Sequence, residues 1–279
     1  MTYKELWQPL TSIYDENEAR AVVRLVLEKH YGLTMSDIVL GKEQMLPAEE
    51  LQAIIEQLLT GEPVQYVLGL AEFGPHCFRV APGVLIPRPE TYELCRWILQ
   101  STGGQPPCAI LDIGTGSGCI ACTLAAALPE AEVTAWDISE EALNIARENA
   151  KRTHVHVSFT QADVLNLKDI VNRERWDMVV SNPPYICQKE RAAMEQNVLK
   201  HEPSIALFVP DNDPLLFYRT IAEYGQKALK PDGWLYFEIN PVYADDMREM
   251  LSVMSYHNIE IKEDQFGKQR MIRAMKGKR

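Results

Sequence analysis

From Thr91 onward, strand-like and helix-like runs alternate along the chain. CAILDIG, EVTAWDI, VHVSFTQAD, WDMVVSN and GWLYFEI are short, apolar and rich in β-branched or aromatic residues. The helical runs CIACTLAAAL, SEEALNIARENAKR (with Ser139 as N-cap), PLLFYRTIAEYGQKAL and YADDMREMLSVM separate most of them. Such alternation constrains the chain to an α/β fold, a doubly wound and mainly parallel sheet whose ligands bind beyond the C-terminal ends of the strands. The closing runs IEIKEDQ and RMIRAMK have no helix between them, so the last strand is expected to pair antiparallel.

The first residues follow a different period. In LPAEELQAIIEQLLTG, Pro47 stands at a helix start, Leu51, Ile54, Ile55, Leu58 and Leu59 recur at helical spacing, and Gly61 closes the end. EARAVVRLVLEKHYG carries Val22, Val23, Leu25 and Val26 in the same manner and ends on Gly32. Residues 1–65 are expected to form a small helical bundle, a packing or recognition module with no chemical motif of its own. Between Tyr66 and Pro89, VLGLAEF and HCFRVAPGVLIPRP are extended pieces punctuated by Gly and Pro, as in a β-hairpin linker over 66–90. The helical run ELCRWILQ and the loop STGGQPP then open a domain at 91–279; Gly103, Gly104 and Gln105 read as part of an ordinary glycine-rich connection.

Charge and cysteine usage exclude several classes. The formal net charge of -11 disfavours a nonspecific grip on nucleic acid phosphates, so no stable nucleic acid partner is expected. No apolar run reaches eighteen residues and MTYKELWQPL lacks a secretory pattern, so a cytoplasmic protein without a membrane partner is expected. Cys77, Cys95, Cys108, Cys119, Cys122 and Cys187 are scattered as reduced thiols, with the CxxC of Cys119 and Cys122 read as packing residues on a helix. His154 and His156 alternate on the run VHVSFTQAD with no third ligand at metal spacing, so exposed strand histidines and no metal are expected.

The chemistry gathers at the strand ends. DIGTGSG, Asp112 to Gly118, closes one strand and opens a helix, and its glycines permit positive φ and close approach of the backbone to a ligand. The dinucleotide fingerprint is GxGxxG; here the last glycine comes one residue early, at Gly118, which disfavours a nicotinamide dinucleotide. Asp137 ends the next strand, at the place where an acid binds ribose hydroxyls, and Asp163 ends the one after, where it can accept from an adenine amino group beside the backbone of Val164. Together with Gly114, Thr115, Gly116, Ser117 and Gly118 they point to a nucleoside.

The next strand delivers Asn182, Pro183, Pro184 and Tyr185 to the same edge. Two prolines stop the ladder and stiffen the chain, leaving the Asn182 side chain and the Pro183 carbonyl free to accept both hydrogens of an amino group. With S-adenosylmethionine as the nucleoside, Asn182 borders both cofactor and substrate, and the two acceptors align a planar nitrogen with the methyl group and stabilise the charge growing on it. Tyr185 can stack on the planar group. No general base is required, because an alkylated amide nitrogen loses its proton to water.

DIGTGSG with NPPY resembles the amino methyltransferases that use S-adenosylmethionine and leave S-adenosylhomocysteine, a group acting on DNA adenine, ribosomal RNA guanine or protein glutamine. VLIPRPET (Val84 to Thr91), GLAEF, HEPSIAL, LKPDGWLYFEI and DQFGKQR, in that order, make the chain similar to the HemK/PrmC family over nearly its whole length. The resemblance implies a Rossmann-like methyltransferase sheet behind a helical N-terminal domain. It also implies methylation of N5 of the glutamine in the GGQ motif of class-1 peptide chain release factors, those factors being the protein partner. Pro89, Glu90 and Thr91 favour this branch over the ribosomal-protein glutamine methyltransferases. By the same resemblance Asn182 to Tyr185 hold the glutamine, and Gly114 to Gly118, Asp137 and Val164 hold the cofactor. The chain departs from the family pattern at Val164, where an aromatic residue is common, and at Pro214 and Asn240, where glycine is usual. Arg88 and Glu90 are as well explained by an ion pair pinning the linker as by a place in the site. Two other readings compete: a nucleic acid amino methyltransferase presenting NPPY to a flipped base, and a silent nucleoside-binding scaffold.

Overall fold

The computed structural model describes residues 1–102, 109–169 and 173–277. Gly103, Gly104, Gln105 and Cys108 lie outside the described residues. The chain falls into two compact units, Met1–Leu70 with Met194–His201, and Ala71–Ala193 with Glu202–Arg279.

The first unit is helical: α1 (Tyr3–Trp7), α2 (Glu16–Tyr31), α3 (Met35–Val39), α4 (Ala48–Leu59) and α5 (Val64–Leu68). Helix α2 starts where Asp15 Oδ1 accepts from the backbone of Asn17 and Glu18, and it ends at Gly32 with φ 70°. Helix α4 buries Leu51, Ile54, Ile55 and Leu58, one stripe at i, i+3, i+4 and i+7, while Leu59 falls on the solvent side of that stripe. These side chains pack with Leu6, Leu10, Val23, Val26 and Leu27 in a core of their own. Helix α5 corrects the extended reading of VLGLAEF: Pro63 caps its start and Gly69, at φ 67°, ends it, so Val67 and Leu68 are helical.

In the second unit a hairpin of β1 (Leu70–Phe73) and β2 (His76–Arg79) precedes α6 (Pro89–Ser101). Then follow β3 (Ala109–Ile113), α7 (Cys119–Ala127), β4 (Glu132–Asp137), α8 (Glu140–Arg152), β5 (Ser158–Gln161) and β6 (Trp176–Ser181). The short pieces β7 (Ile186–Cys187) and β8 (Phe208–Val209) pair with each other; between them in sequence come α9 (Gln196–His201), which falls in the first unit, and α10 (Ser204–Leu207). The chain closes with α11 (Leu216–Ala228), β9 (Leu229–Glu238), α12 (Ala244–Val253), β10 (Tyr256–Glu263) and β11 (Gln269–Lys276).

Among the described residues a 7-stranded sheet runs in the order β10-β11-β9-β6-β3-β4-β5. The pairs from β9 to β5 are parallel, whereas β11 pairs antiparallel with both β9 and β10, as expected for strands joined without a helix. Strand β3, AILDI, is buried at every position because both faces of the sheet are covered. One face packs Ile110, Met178, Val180 and Tyr236 with Leu94, Ile98 and Leu124, and the other packs Leu111, Val179, Leu235 and Phe237 with Tyr218, Ile221, Met247 and Leu251. Helix α7 contributes Cys119 and Cys122 to the first of these, and burial pushes both thiols up to about 12.

The histidine pair corrects a second expectation. Strand β5 begins only at Ser158, and His154, at φ 55°, ends helix α8 instead. The His154 N–H bonds to the Lys151 carbonyl (3.2 Å) and the Val155 N–H to the Ala150 carbonyl (3.0 Å), a Schellman closure that leaves His154 and His156 in the connection to the strand. No helix among the described residues is long and apolar enough to cross a membrane.

Candidate active site at the carboxyl edge of the sheet

The strand order reverses between β6 and β3, and there the ends of two parallel strands stand side by side. Ile113 pairs with Ser181, and the Ser181 hydroxyl donates to the Ile113 carbonyl at 2.6 Å. Beyond them the glycine turn and the prolines leave the sheet together, at the position where doubly wound sheets bind ligands.

The glycine turn divides its work. Gly114, Gly116 and Gly118 have φ of 72°, 54° and 80°, so each needs the freedom that only glycine has without strain. A Cβ built at Gly114 or Gly116 meets nothing within 4 Å, so the turn faces open space there. At Gly118 the same atom comes within 2.9 Å of Ala146 Cβ, so this glycine lets α8 pack closely. The Gly114 and Thr115 N–H groups both donate to the Trp136 carbonyl, which ties the turn to the end of β4. Beneath it the buried Asp112 accepts from the Thr115 hydroxyl at 2.6 Å, and burial raises its carboxyl to about 7. Ser117 is buried, and its carbonyl accepts from Asn149 Nδ2 at 2.9 Å.

Asp137 stands at the end of β4, bonded on each oxygen: Oδ2 accepts from Gly116 N–H (2.8 Å) and Oδ1 from Ser139 N–H (2.9 Å). Each oxygen keeps a lone pair for a further donor. Burial raises this carboxyl while the backbone N–H groups oppose the shift. Asp163, beyond β5, accepts from Leu165 N–H (2.9 Å) and Asn166 Nδ2 (2.5 Å) and so caps the 3-10 turn that Val164 begins. The side chain of Val164 packs against the core on the α11 face.

Asn182 and Tyr185 meet at a group that sequence reading passed over. Asn182 Nδ2 lies 3.2 Å from Thr91 Oγ1, Thr91 Oγ1 donates to Glu238 Oε2 at 2.5 Å, and the Tyr185 hydroxyl donates to Glu238 Oε1 at 3.0 Å. Glu238 is the last residue of β9 and is 1% exposed. Burial raises its carboxyl, opposed by the hydrogen bonds from Thr91 and Tyr185 and by the charge of Arg270; Glu90 adds to the rise. Burial also raises the Tyr185 phenol, which stays neutral. The Tyr218 hydroxyl donates to the Glu238 carbonyl at 3.1 Å and holds the strand end from the other face.

Asn240, where glycine is usual, has a visible task. Its Nδ2 lies 3.2 Å from the Tyr185 carbonyl and from both oxygens of Glu190, and Glu190 Oε1 accepts from Cys187 N–H at 2.8 Å. The segment after Pro184 is thus pinned by side chains. Arg88 pairs with Glu202, whose side chain is 1% exposed and whose other oxygen accepts from Ile86 N–H at 3.1 Å. That pair fastens the segment IPRP to HEPS. Among the described residues no group of three or more His, Cys, Asp or Glu is arranged to hold a metal ion.

Two family models match the chain: the PrmC N-terminal domain over residues 8–69 and the methyltransferase small domain over residues 98–205. A release factor glutamine methyltransferase of Bacteroides thetaiotaomicron is 48% identical over 270 residues, 96% of each chain. One of Flavobacterium psychrophilum is 40% identical, covering 96% of this chain and 95% of its own. One of Streptococcus pneumoniae is 38% identical over 86% of each. Among solved structures, the ribosomal protein L11 methylase from Lactobacillus delbrueckii subsp. bulgaricus superposes with a TM-score of 0.50 at 18% identity, over 74% of this chain and 96% of its own. The hMettl16 catalytic domain gives 0.56 at 17% identity, over 72% and 74%. At such identities the structures speak for the fold alone.

Proposed function

Because the chain belongs to the release factor glutamine methyltransferase family, we propose that it moves a methyl group from S-adenosylmethionine to N5 of the glutamine in the GGQ motif of class-1 peptide chain release factors. It is a protein glutamine methyltransferase. The observation that carries the site assignment is the pairing of Ile113 with Ser181, which sets the open glycine turn beside Asn182.

The residues fit a nucleoside cofactor. Gly114 and Gly116 face free space, Thr115, Ser117 and Gly118 complete the turn, and both oxygens of Asp137 have acceptor capacity for the two ribose hydroxyls. Asp163 and the backbone of Val164 would meet the adenine edge, with Asp163 held ready by its own cap. Valine offers less contact to the ring than the aromatic residue common there. Bound at this edge, S-adenosylmethionine supplies an electrophilic methyl group carried on a positive sulfonium.

The chain's own work is orientation. Asn182 Oδ1 and the Pro183 carbonyl accept the two N–H hydrogens of the glutamine amide and turn its weak lone pair toward the methyl. As the nitrogen takes the methyl, its new C–N bond would replace the methyl's bond to sulfur and the positive charge would pass from sulfur to nitrogen, where the same two acceptors would stabilise it. Pro183 and Pro184 keep those acceptors from moving, and Tyr185 covers the flat amide face. The nitrogen then gives its proton to water. The Tyr185 hydroxyl donates to Glu238, so it is not a base.

Residues 1–65 would recognise the partner, 66–90 would link, and 91–279 would catalyse. Met35, Val39, Leu40 and Met45 present apolar side chains to solvent, which suits a protein partner. Release factors act on ribosomes, so the enzyme works in the cytoplasm. The net charge of -11 opposes lasting attachment to nucleic acid. The test is transfer of labelled methyl to a recombinant class-1 release factor, with a GGA variant of that factor and duplex DNA beside it. Label on the GGQ protein alone supports the reading, and label on DNA overturns it in favour of a nucleic acid methyltransferase.

A further inference from the structure

We propose that Glu238 and Thr91 are positioning residues that decide which end of the Asn182 amide faces the substrate. Both oxygens of Glu238 act as acceptors, Oε1 from the Tyr185 hydroxyl at 3.0 Å and Oε2 from the Thr91 hydroxyl at 2.5 Å, so Thr91 is the donor of its bond. Its single proton is then committed, and toward Asn182 it can offer only a lone pair. Only the NH2 end of Asn182 can face it, as the 3.2 Å contact from Nδ2 has it. The reverse rotamer would bring a carbonyl oxygen against an acceptor in a buried place and lose the bond.

The substrate therefore always meets the oxygen of Asn182. That matters because an amide seen edge-on by its NH2 end would repel the N–H hydrogens of glutamine. The second oxygen of Glu238 accepts from Tyr185 at 3.0 Å, so one buried carboxylate holds both side chains of the clamp. Its surroundings keep it in place: Tyr218 fixes its backbone carbonyl, and Arg270, itself paired with Asp264, lies near enough to oppose its neutralisation. Glu238 lies 147 residues from Thr91 in sequence, so the sheet and helix α6 must both be formed before the amide has a direction.

This inference rests on the reading of Asn182 as the acceptor for a glutamine amide, and the experiment separates the two. Wild type, Thr91→Val, Thr91→Ser, Glu238→Gln, Asn182→Ala and the Thr91→Val/Asn182→Ala double variant are assayed on a recombinant class-1 release factor. For each, kcat, KM, the Kd for S-adenosylmethionine and the Tm are measured. Valine keeps the shape of threonine but neither accepts nor donates, so kcat should fall by about tenfold or more while cofactor Kd changes little, and the Tm should drop with the loss of the donor to buried Glu238. Serine, which keeps the hydroxyl, should restore kcat to within a few fold of wild type. The double variant should be no slower than Asn182→Ala alone, because Thr91 acts through Asn182. Glu238→Gln, with one acceptor where the carboxylate has two, should lower kcat as well and guards against a Thr91→Val protein that does not fold. Wild-type kcat in Thr91→Val and Glu238→Gln, or losses that multiply in the double variant, would overturn the proposal. Failure of wild type to methylate the factor would instead remove the functional reading beneath it.

Discussion

Thr91 and Asn182, 91 positions apart, meet at 3.2 Å between a hydroxyl oxygen and an amide nitrogen. The first belongs to the opening turn of α6 and the second follows β6, so the contact exists only when helix and sheet are assembled. Glu238 stands behind the contact and accepts from the Thr91 hydroxyl.

Asn182→Ala should leave the Kd for S-adenosylmethionine within a few fold of wild type and lower kcat by about a hundredfold or more, since the lost acceptor matters most as charge grows on nitrogen. Calorimetry and single-turnover kinetics check this. An equal loss in both quantities would count against Asn182 as the substrate clamp.

Asp137→Ala should do the reverse. It removes the acceptors proposed for the ribose hydroxyls and also the anchor of Gly116 N–H, so cofactor affinity should fall by about tenfold to a hundredfold. At saturating cofactor, kcat should largely return. An unchanged Kd would take Asp137 out of the site.

The glycines should separate by phenotype. Gly116→Ala places a methyl in the open space before the turn and strains φ 54°, so cofactor binding should weaken. Gly118→Ala drives a methyl to 2.9 Å from Ala146 Cβ at φ 80°, so overpacking between α7 and α8 should cost about 1–3 kcal/mol of stability. Thermal melts and titrations of the two variants side by side would show it. Equal Tm values would contradict the division.

Asp112 gives the protein a pH-dependent stability. Its carboxyl is raised from 3.8 to about 7, first by burial and then by the Asp137 charge, against the bond from Thr115. Between those values the folded protein holds a proton that the unfolded chain has released, so rising pH favours unfolding; above about 7 this group adds no further change. Asp112→Asn cannot titrate, so its Tm should fall less steeply than wild type from pH 4 to pH 7. Asp137 and Glu238, raised in the same sense, keep some slope in the variant. Parallel curves for the two proteins would refute the account.

The sheet was legible because its strands are short, apolar and spaced by amphipathic helices, and the antiparallel final strand followed from a missing helix. DIGTGSG and NPPY could be placed at one edge since parallel strands bring their C-terminal ends together. What escaped were residues whose meaning is tertiary. Glu238 reads as an odd acid within LYFEI, and only the approach of Thr91 and Tyr185 gives it partners. In the sequence Asn240 is only a departure from the usual glycine; Glu190 and the Tyr185 carbonyl come within its reach only in the fold. The short helices α1 and α3 depend on capping boxes, Thr2 with Glu5 and Thr34 with Asp37, which are too brief for periodicity to reveal. His154 was drawn into a strand by alternation with His156, whereas the closing of α8 needed a positive φ there.

The methyl group is expected to land on a side-chain amide nitrogen held by Asn182. Tandem mass spectrometry of a class-1 release factor, after reaction with this enzyme and S-adenosylmethionine, reads that directly. The account predicts one added methyl on the glutamine of the GGQ peptide, present with wild type and nearly absent with Asn182→Ala. A methyl on any other residue, or on GGQ at undiminished rate with the variant, would contradict it.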